Sequence, residues 1–507
     1  MRDDIVFIKG QGASKRVAPG EDFISGLIFY TGSLPSGFTT SNNIQILYSA
    51  LDALNLGISN TYADETKASA TYTVTAVGAV GDTVKITVNE PSGVVVSLGT
   101  YTRATGDTTV TLVATAIASL INSGTNTHGY AATFLVGAVT ITARPGLGIF
   151  LNTGTPVAVT IVGTVAGTLV QFTGGVGSKQ AVWYYHISEF FRLNPSGQLW
   201  LGLFPVPGGS YTFSEITLMQ TAANGKIRQV AVYKDSAAYA GADLTLIDGV
   251  IKTSNDAKHK PLSALYAGDL SGMTDITTIA DVSLLTANKA SSIIGQDGAA
   301  QGALLYATIG KSITCLGAAL GALSASAVSE DFGEPAKFNL SNGIENDVPA
   351  FANGKLLSDP SFSDNTLDAI DAKRHIFMQK YIGYAGTYFN ENHTAITPAS
   401  DYAYINDNRT IDKAIRGIYS ALIPYLKSKL IKNADGTLAS TTVSFLETVA
   451  LAPLYQMARD QDLGEVVASD VYIDPSQNVT STNLLIVNVV LNENGIARNI
   501  SIPISFK

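Results

Sequence analysis

One cysteine in 507 residues, Cys315, excludes an intrachain disulfide. It lies in the apolar stretch SITCLGAALGAL and reads as a buried small hydrophobe rather than a nucleophile. A reducing compartment during assembly fits that usage. Charge is sparse too: Asp, Glu, Lys and Arg make up 14% of the chain, where about a quarter is usual. The balance is −9 with a pI near 5.1. No basic stripe offsets it, which argues against direct nucleic-acid binding. The five histidines, His128, His186, His259, His375 and His393, sit at no metal-ligand spacing, and no cysteine pairs with them. They read as surface or satisfied core residues, and no cofactor or metal is expected. The most membrane-like run, Thr155–Phe172 (TPVAVTIVGTVAGTLVQF), is β-branched, interrupted by Thr and Gly, and lacks flanking cations and aromatic anchors. It reads as two or three strands, so no membrane insertion is expected. The start, MRDDIVFIKG, carries Asp3 and Asp4 where a signal peptide has its apolar core, and is read as lacking a secretory signal.

What is abundant is Gly, at 47 residues, with Thr, Ala, Val and Ser; the mean hydropathy is +0.21. Low charge on so long a chain points to large surfaces that do not face water. The texture divides it. Residues 1–20 read as an arm, with a short strand at Ile5–Ile8 that has no nearby partner, followed by a Gly/Ser/Lys/Pro linker. Residues 21–61 and 178–355 read as a three-layer α/β core with mostly parallel strands, because strand and helix patterns alternate there. Its expected elements are strands at 24–30, 228–235, 262–268 and 291–296, and helices at 41–59, near 241–257, near 276–289 and over 302–323. Residues 62–177 read as an inserted β-rich domain with one helix. Residues 356–507 read as an α+β domain with edge strands. There Ile411, Ile415, Ile418, Leu422 and Leu426 trace one face of a long helix that Pro424 should kink. The C-terminal domain then continues with a helix at 441–459 and strands at 466–473, 484–491 and 497–505. Asn494-Gly495 between the last two is a strong hairpin signal.

Motifs for chemistry are weak. GGVGSK (174–179) fails the phosphate-loop spacing, since Lys179 does not directly follow the last Gly, and reads as a connector. NDNRTID (406–412) lacks the Gly and terminal Glu of a calcium loop, and reads as a helix start with Asn408 as cap and Asp412 in the first turn. No GxSxG elbow occurs. In this acidic chain, Lys413 and Arg416, then Lys427, Lys429 and Lys432, form a local reversal of sign on the long helix. Dipole compensation and solvated charge account for such a run; the functional reading is a patch that docks an acidic partner.

The C-terminal third resembles contractile phage tail sheath proteins. The match runs through the helix at Asp412, Lys413, Ala414, Arg416, Tyr419, Leu422, Pro424 and Tyr425. It continues through a strand and turn at Val471, Tyr472, Ile473, Asp474, Pro475, Gln477, Asn478 and Val479, and then a closing pair of strands. The opening KGQG…PGEDFISGLIFY is similar to sheath-like proteins of phages of Bacteroidetes-type hosts.

The resemblance implies a structural virion protein and not an enzyme. Subunits would form six-membered rings stacked helically around a tail tube, with the baseplate and tail terminator as further partners. Contraction would drive the tube through the host envelope for genome ejection. Such a protein would assemble in the host cytoplasm and reside in the virion tail. Terminal strands would be exchanged between copies at Ile5, Val6, Phe7 and Ile8, and at alternate positions 498, 500, 502 and 504, which are Arg498, Ile500, Ile502 and Ile504. The cations Lys413, Arg416, Lys427, Lys429 and Lys432 would face the tube. Two other readings compete. An α/β enzyme handling a nucleotide or sugar would need a Gly-rich turn after a core strand, but the turn after RQVAVYKD is Asp235-Ser236-Ala237. A surface adhesin or S-layer-like protein would need an export signal.

Overall fold

The computed structural model describes residues 21–91, 93–458, 464–498 and 501–502. Its largest sheet has seven strands, in the order His375–Ile376, Ala290–Ile293, Ser263–Asp269, Gln229–Ala238, Ile24–Tyr30, Gln198–Phe204, Ile44–Leu47. Every neighbouring pair is parallel except the last. A parallel sheet covered on both faces needs strands that are apolar throughout, and ISGLIFY is buried at all seven positions. Side chains alternate along that strand. Leu27 and Phe29 join the core beneath the helices Lys179–Leu193 and Leu316–Ala325. Ile28 and Tyr30 join the opposite core, beneath Glu215–Ala222 and Ala242–Ser254. The first two helices lie unusually close. A Cβ on Gly317 would fall 2.2 Å from the carbonyl oxygen of His186, and one on Gly321 would fall 2.7 Å from that of Phe190.

The sheet continues past the boundary expected at residue 355, since His375–Ile376 is its last strand. Three core expectations change. Residues 41–59 are not one helix: Ile44–Leu47 pairs antiparallel with Leu199–Gly202, and the helix is confined to Ala50–Asn55 behind the N-cap Ser49. Leu47 is fully buried as a strand residue, whereas Leu51 is exposed. The helix near 276–289 is absent. Asp275 and Asp281 instead accept hydrogen bonds from the backbone of Thr277 and Ser283, closing two 3-10 turns, Ile276–Thr278 and Val282–Leu284. Asp side chains that bond the backbone two residues on compete with a helix. The stretch 302–323 breaks into Gln301–Ile309 and Leu316–Ala325, because Gly310 ends the first in a left-handed conformation.

Residues 68–172 hold a core of their own. One sheet has the order Ala131–Leu135, Ala138–Thr142, Ser69–Ala76, Ala166–Thr173; the other has Val95–Thr102, Thr83–Asn89, Val157–Val162. The helix Val110–Ser123 contributes Val113, Ala114, Ile117, Ala118 and Ile121 to the core. The runs flanking Gly81-Asp82 do not pair with each other but enter different sheets, as do the two strands within 155–172. Asp82 secures this crossing by accepting from the amides of Ala79 (2.8 Å), Thr164 (2.7 Å) and Val165 (2.9 Å). Where this body meets the parallel sheet's layers, Glu65 accepts from the amides of Gly146, Leu147 and Gly148. The Ile149 amide donates to the Thr308 carbonyl at 2.8 Å.

Candidate interaction surface at the C-terminal helices and sheet

The long helix runs Ile405–Leu422, and Pro424 falls in a 3-10 turn, Ile423–Tyr425, that ends it rather than kinks it. Its N-cap is Tyr404, not Asn408. Asn408 lies inside the helix and donates to the carbonyls of Tyr402 (2.9 Å) and Tyr404 (2.8 Å). The buried side of the first half is polar: Asn406, Asp407, Asn408, Arg409, Thr410 and Asp412. Such residues are buried only with partners. Lys289 supplies one, 2.5 Å from Asp412 and 3.6 Å from Asp256. Arg409 donates to the Ser326 hydroxyl at 2.9 Å and to the carbonyls of Ser326 and Ala327.

The apolar stripe expected on one face is split by the packing. Ile418 and Leu422 pack with Ala450 and Leu454 of the helix Ser440–Ala458, while Ile415 and Leu426 are exposed. Beyond that helix, Val466–Tyr472 pairs antiparallel with Asn488–Glu493. Among the described residues this sheet has these two strands. Among the described residues nothing pairs with its outer edges, although Val467, Tyr472 and Val490 are exposed along it. Of the hairpin expected at Asn494-Gly495, the closing strand at 497–505 lies largely outside the described residues. The strand before it is Asn488–Glu493, shorter than 484–491 and shifted along the chain, and residues 494–498 and 501–502 carry no strand.

The expected exchange and docking residues fare differently. Ile5, Val6, Phe7, Ile8, Ile500 and Ile504 lie outside the described residues. Ile502 is 73% exposed. Position 498 does not fit a row of apolar strand positions, because it is an arginine held by side chains of its own subunit: its guanidinium lies 3.5 Å from the Tyr404 ring centroid, and its Nε donates to Glu391 at 2.8 Å. Lys413 and Arg416 are each 2.9 Å from Asp22, and Lys413 also pairs with Glu465. Burial raises the Asp22 carboxyl, but Lys413 and Arg416 outweigh it and hold the group below the usual range. Lys432 contacts the Thr480 hydroxyl. Lys427 and Lys429 are exposed, beside an apolar cleft lined by Tyr425, Leu430, Ile431 and Phe445.

Sequence reasoning missed Asp22, Glu391 and Tyr404. Their partners are 107 residues or more away for Asp22 and Glu391, and spacing carries no signal over such separations.

The readings built on chemistry can be placed as well. In open α/β sheets ligands sit at the carboxyl ends of strands where the order reverses. Here that is the region above Ile24–Tyr30, Gln198–Phe204 and Gln229–Ala238. The chain's own side chains fill it. Lys234 pairs with Asp243, which also accepts from the Tyr266 hydroxyl; Tyr211 bonds Ser236, and Tyr30 reaches Glu215 at 3.3 Å. In the GGVGSK segment, Ser178 caps the helix Lys179–Leu193, and Lys179 lies 3.4 Å from Asp235. His186 packs against Phe29 and Tyr233, and burial drops its imidazole to about 3. His375 lies between the Ser292 hydroxyl and the Ala280 carbonyl, and burial drops it to about 4. Burial pushes the Cys315 thiol far above its ordinary value. Among the described residues no group of three His, Cys, Asp or Glu is arranged to hold a metal, and no helix is long and apolar enough to cross a membrane.

Among solved structures, the PVC sheath complex of an extracellular contractile injection system in the contracted state gives a TM-score of 0.41 at 14% identity, covering 64% of this chain and 80% of that one. The sheath tail protein Lin1278 from Listeria innocua gives 0.34 at 9% identity, over 93% of this chain and 94% of that one. These structural neighbours are sheath proteins. No curated protein matches. Residues 50–393 match the N-terminal domain of DUF2586 and residues 401–507 its C-terminal domain. The first match alone spans more than half of the sequence, and the chain belongs to the DUF2586 family.

Proposed function

We propose that this protein is the sheath subunit of a contractile tail. Copies join as six-membered rings stacked around a tail tube, and contraction drives the tube through an envelope. The observation that carries the reading is the two-stranded C-terminal sheet with both outer edges open among the described residues. An isolated pair of strands is marginal in water, and exposed edges are usually blunted. An edge that accepts a strand from another copy removes both problems. The segment after it has strand-type sequence, and its described residues, 494–498 and 501–502, carry no strand, as expected of a donor. A contact of one copy's tail with another's edge is heterologous and propagates as a helix rather than closing as a dimer.

In this reading residues 1–20 and the tail are the exchanged arms, 62–177 faces outward, and 356–507 carries the linking sheet. The filled crevice of the parallel sheet fits a protein that moves as a rigid body and stores work in its interfaces. Of the five cations expected at the tube, the exposed Lys427 and Lys429 would be the ones to meet an acidic partner in this reading, while Lys413 and Arg416 are engaged with Asp22.

Negative-stain microscopy of the purified protein tests the proposal: long tubes are expected, and dispersed globules at every concentration overturn it. Deleting residues 496–507 should leave a folded subunit that no longer forms tubes. Tubes that persist after that deletion refute the strand-joining account.

A further inference from the structure

Lys289 sits where three parts of the fold meet. It directly precedes the strand Ala290–Ile293, and its backbone amide donates to Asp248 at 2.9 Å, which fixes its position. Its Nζ lies 2.5 Å from Oδ1 of Asp412, in the helix Ile405–Leu422, and 3.6 Å from Oδ2 of Asp256, in the 3-10 turn Asp256–Lys258. The Lys289 and Asp412 side chains are 8% and 5% exposed, so bulk water is kept from their contact.

The second carboxylate, Asp256, is suited to move protons. Its Oδ2 faces the amine, while its Oδ1 is buried with no hydrogen-bond partner among the described residues. Burial pushes its carboxyl up to about 6, against the pull of Lys289. A carboxylate in that setting accepts a proton from a neighbouring ammonium more readily than one in water. An amine, a carboxyl carbon and a proton acceptor are thus held together by three elements of the chain.

We propose that Lys289 and Asp412 condense to an isopeptide bond, with Asp256 as the base and acid of the reaction. Asp256 takes one proton from the Lys289 ammonium. The freed amine attacks Cγ of Asp412, and the C–N bond forms. Asp256 returns its proton to one Asp412 oxygen, a second amine proton follows to the same oxygen, and the C–O bond breaks to release water. The ammonium's three hydrogens end as one amide N–H and two on that water. Fixed contact replaces a chance encounter of the two groups, and burial favours the product, because a neutral amide replaces two desolvated charges. The bond joins residues 123 apart in sequence. It restricts the unfolded chain as a disulfide does, which a single cysteine cannot supply. It fastens the C-terminal helix to the parallel sheet whatever the copies do, so the inference stands apart from the sheath reading. The ion pair is the reactant: newly folded chain carries it, and the bond accumulates afterwards.

Intact-mass spectrometry of the folded full chain, followed over days, tests the proposal. The parent should lose the mass of one water. Its tryptic digest should contain residues 410–413, released by cleavage after Arg409 and Lys413, joined to the peptide that carries Lys289. Lys289→Arg keeps the charge but not the nucleophilic amine, and should keep its full mass. Asp256→Asn leaves the amine and Asp412 in place and should slow the joining about a hundredfold or more, the usual contribution of a positioned acid–base group. A parent chain that stays folded and keeps its full mass overturns the proposal. So does a loss of water without the joined peptide, or one that persists in Lys289→Arg. Joining at the parent rate in Asp256→Asn overturns the role given to Asp256.

Discussion

Replacing Lys289 by Met isolates what holds the long C-terminal helix against the parallel sheet. Lys289 has a side chain 8% exposed, 2.5 Å from Asp412, itself 5% exposed, and 3.6 Å from Asp256. Met preserves the aliphatic stem and the backbone amide, which donates to Asp248 at 2.9 Å, and removes only the charge. Two carboxylates then face a buried site with no cation. Breaking one side of a buried pair costs about 3–5 kcal/mol. Asp256 shows the environment already: even with Lys289 present, burial pushes it up to about 6. In a chain of several cooperative units a single melting temperature is not the right measure. Native-state hydrogen exchange of the Ile405–Leu422 amides reads the local free energy directly. Exchange there should accelerate by more than a hundredfold at neutral pH, and less at pH 5, below the raised value of Asp256. Lys289→Met with Asp412→Leu should recover most of the loss, because an apolar pair of similar volume replaces an ion pair at little cost. A single-variant effect below about 1 kcal/mol would refute the reasoning, and so would a double variant no more stable than the single.

Three further outcomes follow from other parts of the molecule. Val136 has φ 42° and Gly137 φ 83° in the turn between Ala131–Leu135 and Ala138–Thr142. A β-branched residue is strained there, so Val136→Asn should stabilise this body by about 1 kcal/mol in thermal unfolding; a loss would show that Val136 packs in a way its 78% exposure denies. Gly148 has φ 45°, and an added Cβ would sit 1.9 Å from the Thr308 carbonyl oxygen. Gly148→Ala should therefore cost more than about 3 kcal/mol and expose the 308–310 region to proteolysis. Stability should also fall on both sides of a mildly acidic optimum. His186 and His375, held at about 3 and about 4 when folded, lose stabilisation as pH drops below their unfolded value near 6.5. Asp407 and Glu345, raised by burial to about 7, lose it as pH climbs from their unfolded values towards 7. Denaturation midpoints from pH 4 to 9 that keep rising at either end would contradict the assignment.

The sequence by itself determined the elements whose pattern is local. ISGLIFY and the stretches VAVY (230–233) and ALYAG (264–268) are nearly all apolar without alternation, which only a sheet covered on both faces requires, and all lie in buried parallel strands. The helices at 110–123, 242–254 and 440–458 follow from their periodicity and boundary residues. Tertiary structure decided what depends on distant partners. It sent the halves of 155–172 to different sheets, since alternating strands state which face is buried but not which neighbour they meet. It buried the polar side of the 405–422 helix, because Lys289, Asn288 and Ser326 are there to receive it, against the apolar stripe that periodicity alone favours. It paired Asp22 with Lys413 and Arg416, and Arg498 with Glu391, across 107 residues of chain or more. It also moved the strand expected at 484–491 to Asn488–Glu493, where it pairs with Val466–Tyr472, which packs on the 440–458 helix. Local preference is worth a few tenths of a kcal/mol per residue, and burial against a preformed helix outweighs it.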